Sequence, residues 1–344
     1  MKVATTLGYW SAGPPADAGE IVRIADELGF ESVWTAEAYG SDVLTPLAWW
    51  GSQTSRVKLG TGIAQMSARP PTTLAMAAMT LDHLSNGRAV IGIGASNPQV
   101  VEGWYGVPYP RPLERTREYI EIMRKVIARE GPVTYAGRHF QLPLEGGSGM
   151  GKALKSTLHP FRKDIPIFLA AEGPKNVALA AEIADGWLPL FLSPKTSDEF
   201  RVSLEEGFAR AGARHTKESF EVVGGPYSII VNDDVEAAAD WLRPVIALYA
   251  GGMGAKGLNF HHNVIAKAGW HAECERIQDL YLAGDKQAAI AAVPTAMVED
   301  FAIIGPLSKV REEIQRWKET VITTFSINTL QTQYLPQLAE FVLG

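Results

Sequence analysis

The chain has 344 residues, a formal net charge of -6 and 46% hydrophobic residues, the composition of an ordinary globular protein. Its mild negative charge gives no electrostatic reason to expect a nucleic-acid partner, and its single cysteine, Cys274, excludes a disulfide within the chain. No segment has the roughly 18 consecutive apolar residues of a membrane span, and the N-terminus lacks the apolar core of a signal peptide. We therefore expect a cytoplasmic protein without a membrane partner, in which Cys274 is a packing residue rather than a nucleophile.

Short apolar runs rich in β-branched residues alternate with helix-period segments along the whole chain. The predicted strands are 2–10, 32–39, 57–64, 89–96, 165–171, 186–192, 221–231 and 322–329. The predicted helices are 17–30, 45–55, 70–87, 112–131, 174–186 and 193–212. Two helix ends carry clear signals, because Gly29 is a typical C-cap and Thr45 is placed as an N-cap before Pro46 at the first helical position.

The repetition of strand and helix predicts the fold class. Eight such units, with strands that look buried on both faces, predict an α/β protein with a (β/α)8 TIM barrel, and a doubly wound open sheet is the alternative. Nothing marks a domain boundary, so residues 1–344 are predicted to form one domain. Two insertions interrupt the pattern, a hairpin with a Gly-rich loop at 131–156 and a mostly helical segment at 249–294. Such excursions usually shape the substrate pocket of a barrel.

Polar residues and glycines lie at the ends of four of the predicted strands, and barrel enzymes place their chemistry at these carboxyl ends. They are Glu37 and Tyr39 at the end of the second strand, the stretch GTGIAQMSARPP at the third, Ser96, Asn97 and Glu102 at the end of the fourth, and Glu172, Gly173 and Asn176 after the fifth. Taken singly, the glycines indicate tight packing and the carboxylates indicate helix N-terminal charge. Four strand ends of this kind at the same end of the predicted barrel favour a functional site.

The sequence lacks the motifs of several common chemistries. The spacing Gly92-x-Gly94-x-x-Asn97 has no third glycine and is followed by Pro98, so it does not match the dinucleotide fingerprint. HExxH, GxSxG and Walker motifs are absent. The only histidine pair, His261-His262, points to different faces of a predicted helix, so no metal site is predicted. These exclusions favour an organic cofactor that supplies the reactivity.

Over nearly its whole length, the chain resembles the bacterial luciferase-like superfamily, and more closely its deazaflavin (coenzyme F420)-dependent oxidoreductases. The segments that carry the resemblance are SVWTAEAYGSDVLTPLAWW, LGTGIAQMSARPP, IGIGASNPQVVEGWYG, AAEGPKNVALAAEIADGWLP, IQDLYLAGDKQAAIAAVP and IIGPLSKVREEI. The resemblance implies a barrel with the cofactor lying across the strand ends. In these relatives the third strand ends in a bulge with a non-proline cis peptide that backs the deazaflavin ring. The matching bond here is Gly62–Ile63, and a bulge with trans bonds is the alternative.

The resemblance also implies which residues contact the cofactor. Glu37 matches an acidic residue at the deazaflavin. Gly62, Ile63 and Ala64 form the backing loop, and Ser96 and Asn97 lie where the fourth-strand loop meets the cofactor. The remaining matches lie beside the cofactor's side chain, in a segment whose helix N-terminus suits a phosphate: Ala170, Ala171, Glu172, Gly173, Pro174 and Asn176.

Two departures from the family affect the expected chemistry. The sugar-phosphate dehydrogenases of this family carry a catalytic His where this chain has Ala38, and a Glu where it has Asn97. We therefore do not assign the substrate of those dehydrogenases to this chain. The candidates left for proton transfer are Glu37, Tyr39 and Glu102.

Taken together, these features predict an oxidoreductase that transfers a hydride between C5 of coenzyme F420 and a small organic substrate. Two alternatives are an FMN-dependent monooxygenase that acts with a flavin reductase and a deazaflavin-binding carrier protein without turnover. The resemblance also implies a homodimer.

Overall fold

The computed structural model describes residues 1–254 and 256–344. Within them the strands are β1 (Lys2–Thr6), β2 (Ser32–Thr35), β3 (Lys58–Gln65), β4 (Ala89–Gly94), β5 (Tyr135–Ala136), β6 (Gln141–Leu142), β7 (Ile167–Ala170), β8 (Gly186–Leu188), β9 (Glu221–Gly224), β10 (Ile229–Val231), β11 (Ile303–Gly305) and β12 (Thr324–Ile327). Eight of these strands close into a barrel in the order β1-β12-β9-β8-β7-β4-β3-β2. The predicted (β/α)8 barrel is therefore confirmed, and the doubly wound open sheet is excluded.

Helices connect the strands throughout the described residues. The first seven are α1 (Ala18–Leu28), α2 (Leu44–Gly51), α3 (Pro71–Leu84), α4 (Pro98–Gly103), α5 (Pro112–Ala128), α6 (Pro174–Ile183) and α7 (Ser197–Phe208). The others are α8 (Val235–Asp240), α9 (Arg243–Ala247), α10 (Phe260–Ile265), α11 (His271–Leu282), α12 (Lys286–Ala291), α13 (Thr295–Phe301), α14 (Leu307–Lys318) and α15 (Leu335–Leu343). Two π-helical turns, Leu248–Gly252 and Ala266–Trp270, and a 3-10 turn, Thr332–Tyr334, complete the set. None of these helices combines the length and the apolar character that crossing a membrane requires.

The chain divides into two compact units. The C-terminal unit comprises Met1–Thr6, Ala171–Glu182 and Trp187–Gly344, and the N-terminal unit comprises Leu7–Ala170 and Ile183–Gly186. The prediction that 1–344 form one domain stays a prediction.

In the N-terminal unit, helix α3 supplies a large part of the core. It begins with Pro71, whose fixed φ suits a first helical position. Leu74, Ala78 and Met79 are fully buried on one face, and helix α5 packs against this helix. The chain then turns through Asn86 and Gly87, both with positive φ. The predicted hairpin of the first insertion is present as the antiparallel pair β5–β6.

In the C-terminal unit, the second insertion is mostly helical, as predicted, and residue 255 within it lies outside the described residues. Cys274 lies on α11 and is completely buried. Burial raises the pKa of its thiol to about 12, helped by the charge of Glu273. The thiol is therefore protonated and unreactive at neutral pH, which confirms that it is a packing residue.

Two local predictions were wrong. Thr45 does not cap α2, because that helix begins at Leu44 and the Asp42 carboxylate accepts the N–H groups of Leu44 and Thr45 at 3.1 and 2.6 Å. The run 221–231 is not one strand. It divides into β9 in the barrel and β10, which pairs with β11 in a separate two-stranded sheet.

The division of this run has a physical cause. A Cβ at Gly225 would lie 2.4 Å from the Ser326 carbonyl oxygen, so only glycine allows the backbone to pass there. Pro226 follows, and its missing N–H cannot continue a ladder. Sequence reasoning also missed β11, because three apolar residues between two helices give no strand signal of their own.

Candidate active site

The carboxyl end of β3 carries a bulge. The parallel pairing with β4 shifts between Thr61, opposite Ile91, and Ala64, opposite Ile93. The Gly62–Ile63 peptide within this bulge is cis. The cis bond predicted from the resemblance is therefore confirmed, and the alternative of a bulge with trans bonds is wrong.

The glycines around this bulge make room for large side chains of the neighbouring strands. A Cβ at Gly94 would lie 2.4 Å from Cδ1 of Ile63, so the Ile63 side chain occupies the space above Gly94. A Cβ at Gly60 would likewise lie 2.4 Å from the ring of Trp34. Ile63 is half-buried and Ala64 is completely buried. The end of β3 thus presents one partly exposed aliphatic side chain on a close-packed base, which we call the Ile63 platform.

Glu37, two residues beyond β2, is a buried carboxylate whose two oxygens are both engaged. Oε2 accepts the backbone N–H of Gln65 at 2.7 Å and Nη1 of Arg69 at 2.9 Å, and Oε1 accepts Nη2 of Arg69 at 2.6 Å. The side chains of Glu37 and Arg69 keep only 5% and 15% of their surface exposed. The bidentate pair therefore ties the last residue of β3 to the end of β2. These contacts favour an anchoring role over the predicted proton transfer.

Arg69 and Asp42 extend this anchor. Nη2 of Arg69 also lies 3.2 Å from Oδ1 of Asp42, and the Arg69 carbonyl accepts the hydroxyl of Tyr119 at 2.9 Å. Burial alone would lower the pKa of Arg69, but the hydrogen bonds and charge of Glu37, and then the charge of Asp42, raise it on balance. Arg69 is a permanent cation. Sequence reasoning missed it, although a carboxylate at a buried strand end requires a nearby cation.

The loop after β4 is shaped by backbone conformation. Ser96 has φ of 60°, and its carbonyl accepts the hydroxyl of Tyr109 at 2.8 Å. Burial raises the pKa of Tyr109 to about 12, against the opposing charge of Arg115, so this donor stays protonated. Asn97 is buried, and its side chain accepts the Val100 N–H at 3.0 Å as the N-cap of α4. Both predicted cofactor residues are thus held at the carboxyl end of β4.

The other two proton-transfer candidates in the N-terminal unit have few contacts. Tyr39 is 57% exposed. Glu102 is exposed on α4, and its carboxylate accepts the Tyr109 backbone N–H at 3.4 Å. Among the described residues Tyr39 has no hydrogen-bond partner and Glu102 has only this long contact, which is less than orients a general acid or base. The roles predicted for them stay predictions.

The segment that follows β7 enters α6. Ala170 ends β7, and the carbonyl of buried Ala171 accepts the indole N–H of Trp187 at 2.8 Å. The Gly173 carbonyl accepts the N–H groups of Asn176 and Val177, each at 2.9 Å, which starts the helix at Pro174. The Oδ1 atom of Asn176 is buried and has no hydrogen-bond partner among the described residues. An unpaired buried amide oxygen in this segment fits a ligand that brings a hydroxyl or N–H donor.

Glu172 lies in the same segment and has a partner that sequence reasoning did not predict. Its Oε1 lies 2.7 Å from Nδ1 of His261, on helix α10. The neighbouring His262 instead bonds the Ala250 carbonyl through its own Nδ1 at 3.0 Å. The two histidines thus have different partners, as expected from their adjacent helical positions. No sequence signal could have joined Glu172 to His261, because 89 positions separate them.

The described residues contain one group with metal-ligating side chains, although none was predicted. The ligand atoms of Glu114, Glu118 and His139 lie within 4.8 Å of one another. The Glu118 carboxylate already accepts the N–H groups of Arg138, His139 and Phe140 at 2.8 to 3.1 Å. Nη1 of Arg138 lies 3.7 Å from the Glu114 carboxylate and would compete with a cation. We therefore interpret this cluster as a support for the β5–β6 hairpin.

A sequence model of the luciferase-like monooxygenase family matches residues 3–324. A Mycobacterium tuberculosis protein provisionally named a coenzyme F420-dependent oxidoreductase is 50% identical over 344 residues, which is 99% of this chain and 99% of that protein. A 5,10-methylenetetrahydromethanopterin reductase of Archaeoglobus fulgidus is 29% identical over 303 residues, which is 88% of this chain and 86% of that protein.

Solved structures give the same fold. The coenzyme F420-dependent tetrahydromethanopterin reductase of Methanopyrus kandleri matches with a TM-score of 0.78 and 24% identity, over 99% of this chain and 97% of that chain. The closed parallel barrel and the bulged third strand define a TIM-barrel protein with a candidate site at the carboxyl ends of its strands. The chain belongs to the luciferase-like monooxygenase family. The family resemblance found in the sequence motifs is thereby confirmed.

Proposed function

We propose that this protein is a coenzyme F420-dependent oxidoreductase that transfers a hydride between C5 of the deazaflavin and a small organic substrate. The observation that carries the proposal is the Ile63 platform, an aliphatic surface on a glycine base at the carboxyl end of a barrel strand. Such a surface suits the flat face of a fused ring. The 50% identical M. tuberculosis relative, whose name includes this cofactor, supports the choice of F420.

The chain's own residues have three tasks in this proposal. The Ile63 platform holds and orients the ring, while the pair of Glu37 and Arg69 keeps the β3 end in place. The N-terminus of α6, whose dipole favours an anion, receives a phosphate of the cofactor's side chain. Asn176 accepts a hydrogen bond from the same side chain through its unpaired Oδ1. The deazaflavin, when bound, supplies the hydride chemistry that these side chains lack.

Equilibrium binding of the purified apoprotein to F420 and, separately, to FMN, followed by fluorescence, tests the proposal. We expect micromolar or tighter binding of F420 and clearly weaker binding of FMN. Gly94→Ala should weaken F420 binding about tenfold, or about 1.4 kcal/mol, because the new Cβ displaces the Ile63 side chain. The matched control is Gly103→Ala, whose Cβ would meet no atom within 4 Å.

Each result has a defined meaning. Tighter binding of FMN than of F420 would replace the proposal with an FMN-dependent monooxygenase. Tight F420 binding without turnover of any acceptor would favour the carrier protein. Equal F420 affinities of Gly94→Ala and the native protein would remove the Ile63 platform from the cofactor site.

We also infer a cytoplasmic homodimer. The buried, protonated thiol of Cys274 suits a reducing compartment. Trp49 on α2 and Met76 on α3 are 69% and 49% exposed, and large exposed apolar side chains of this kind are typical of association surfaces. Sedimentation equilibrium should give twice the chain mass of 37.3 kDa. A monomer at tens of micromolar protein would contradict the homodimer.

A further inference from the structure

The Glu172–His261 pair lies beside the carboxyl end of a barrel strand. Glu172 follows β7 by two residues, and its Oε1 is 2.7 Å from Nδ1 of His261. The two side chains keep 14% and 21% of their surface exposed. The pair is thus neither sealed in the core nor free in solvent, which is the environment of a working acid–base group.

The His261 ring is held by aromatic neighbours. Tyr249 meets it edge-on at a centroid distance of 4.8 Å and an angle of 89°, and Phe191 does so at 6.0 Å and 70°. The helix that carries His261 is itself anchored by buried Asn259. This side chain caps α10 by accepting the His262 N–H at 3.1 Å, and its amide donates to the Tyr249 carbonyl at 2.7 Å. The position of the imidazole is therefore fixed by the aromatic contacts and by the anchored helix.

The carboxylate also determines the tautomer of the ring. A carboxylate close to Nδ1 accepts a hydrogen bond, so it favours the form with the proton on Nδ1 and a lone pair on Nε2. Nε2 has no hydrogen-bond partner among the described residues, and it is not among their fully buried unpaired polar atoms. It therefore reaches solvent. A base with a free lone pair, oriented by a carboxylate on its other nitrogen, is the arrangement that activates O–H groups in many unrelated enzymes.

A reaction that also moves a proton needs a side chain that accepts it, and Ala38, beside Glu37, offers none. Both oxygens of Glu37 accept hydrogen bonds from Arg69 or Gln65, whereas within the described part of the chain Tyr39 has no hydrogen-bond partner and Glu102 has one long contact. Of these side chains, only His261 combines a fixed orientation with a ring nitrogen that has no hydrogen-bond partner among the described residues.

We propose that His261 is the general acid–base of this protein, that Glu172 is its positioning residue, and that the substrate is an alcohol or the corresponding carbonyl compound. This inference rests on the proposed function. In oxidation, the C–H hydride moves with its electron pair to the oxidised deazaflavin, the O–H proton moves to Nε2, and the C–O bond becomes a carbonyl. In reduction both transfers reverse. Transfer to a carbonyl creates an alkoxide that needs a proton at once, and this is the need that a protonated His261 meets.

The first test needs no cofactor. Nitrogen-15 NMR of the apoprotein, at a pH where the ring carries a single proton, should show that proton of His261 on Nδ1 and none on Nε2. Glu172→Gln should give a mixture of tautomers, because an amide can donate or accept. His261→Ala assigns the signal. A native His261 whose neutral ring carries its proton on Nε2 would overturn the proposal, since it would have no lone pair to offer there.

The second test measures turnover. The native protein with oxidised F420 and a panel of primary and secondary alcohols, and with reduced F420 and the corresponding carbonyl compounds, is compared with His261→Ala and Glu172→Gln. We expect kcat to fall about 10²- to 10⁴-fold in His261→Ala, with F420 affinity changed less than about twofold. Added imidazole should restore part of the rate. The control is His262→Gln, on the same helix but bonded to the Ala250 carbonyl, which should keep its rate.

The outcomes separate this inference from the proposed function. Loss of the rate at constant F420 affinity, with rescue by imidazole, supports His261 as the proton carrier. A rate within about threefold of the native protein in His261→Ala would overturn it, and so would a lost rate that imidazole leaves unchanged. Tight F420 binding without turnover of any alcohol or carbonyl compound would overturn the inference alone. Absence of F420 binding to the native protein would instead overturn the proposed function.

Discussion

Two carboxylates at strand ends, one in each compact unit, differ in the kind of side chain that they bind. Glu37, in the N-terminal unit, makes a bidentate pair with Arg69 and also accepts a backbone N–H. Glu172, in the C-terminal unit, makes a single contact with His261, and this contact is charged only when the imidazole is protonated. Both residues are glutamates placed two residues beyond a barrel strand.

The difference shows that the partner, rather than the carboxylate, decides the role. Arg69 cannot lose its proton at any physiological pH, so Glu37 is held as one half of a fixed ion pair. His261 is an imidazole that is charged only when both ring nitrogens carry a proton, so Glu172 faces a partner that can take up and release a proton. The first arrangement suits architecture, and the second suits proton transfer.

The largest expected effect on the free energy of unfolding comes from removing Glu37, the partner of Arg69. Glu37→Ala leaves Arg69 buried without its bidentate acceptor and leaves the Gln65 N–H unpaired. Breaking a buried pair in this way costs about 3–5 kcal/mol. Urea unfolding followed by circular dichroism should show a fall of this size in the free energy of unfolding.

Two controls define this first result. Glu102→Ala, at an exposed carboxylate, should change the stability by less than about 0.5 kcal/mol. The double variant Glu37→Leu/Arg69→Met removes both charges and should recover a large part of the lost stability, because no buried charge stays unpaired. A Glu37→Ala protein as stable as the native one would show that this pair does not anchor β3.

A smaller effect on the free energy of unfolding is expected at acid pH from Asp42, the more exposed carboxylate that contacts Arg69. Burial alone would raise the pKa of Asp42, but the hydrogen bonds from Thr45, the charge of Arg69 and the Leu44 N–H lower it on balance. A carboxyl group whose pKa is lowered by folding stabilises the protein above its unfolded pKa, about 3.9. This stabilisation is complete above about pH 5 and is lost as the pH falls below about 4.

Asp42→Asn should therefore reduce the acid sensitivity of the protein. The variant should be less stable than the native protein at pH 7, and its stability should fall less between pH 5 and pH 3.5. Urea midpoints at the three pH values measure this. Asp233→Asn, at an exposed aspartate, is the matched control and should keep the native acid profile. Equal slopes for Asp42→Asn and the native protein would contradict the prediction.

The smallest effect on stability is expected at the other carboxylate. Glu172→Ala should change the free energy of unfolding by less than about 1 kcal/mol, because it removes a single contact between two partly exposed side chains. The measurement is the same urea titration used for Glu37→Ala, so the two glutamates are compared directly. A loss as large as that of Glu37→Ala would make the Glu172–His261 contact a structural ion pair and would remove the contrast between the two regions.

Local patterns were sufficient for the architecture, and the family resemblance supplied one detail of the site. The alternation of buried runs with helix-period segments predicts the barrel, because a strand that is buried on both faces is a nearly continuous run of apolar residues. Gly62 and Ile63 were identified through the family motif, and the bulge is where that motif places it. The same local reasoning failed for Thr45 and for 221–231, since a cap and a strand end are decided by which group lies nearby in space.

The sequence by itself determined the class of fold, the position of the glycines and the set of polar residues at the strand ends. Only the tertiary structure decided what those polar residues do. It placed Arg69 on Glu37 across 32 positions and His261 on Glu172 across 89. Periodicity is a local property, visible in any window of the chain, whereas the partner of a carboxylate depends on how distant segments pack. That is why the two glutamates look equivalent in the sequence and differ in the folded protein.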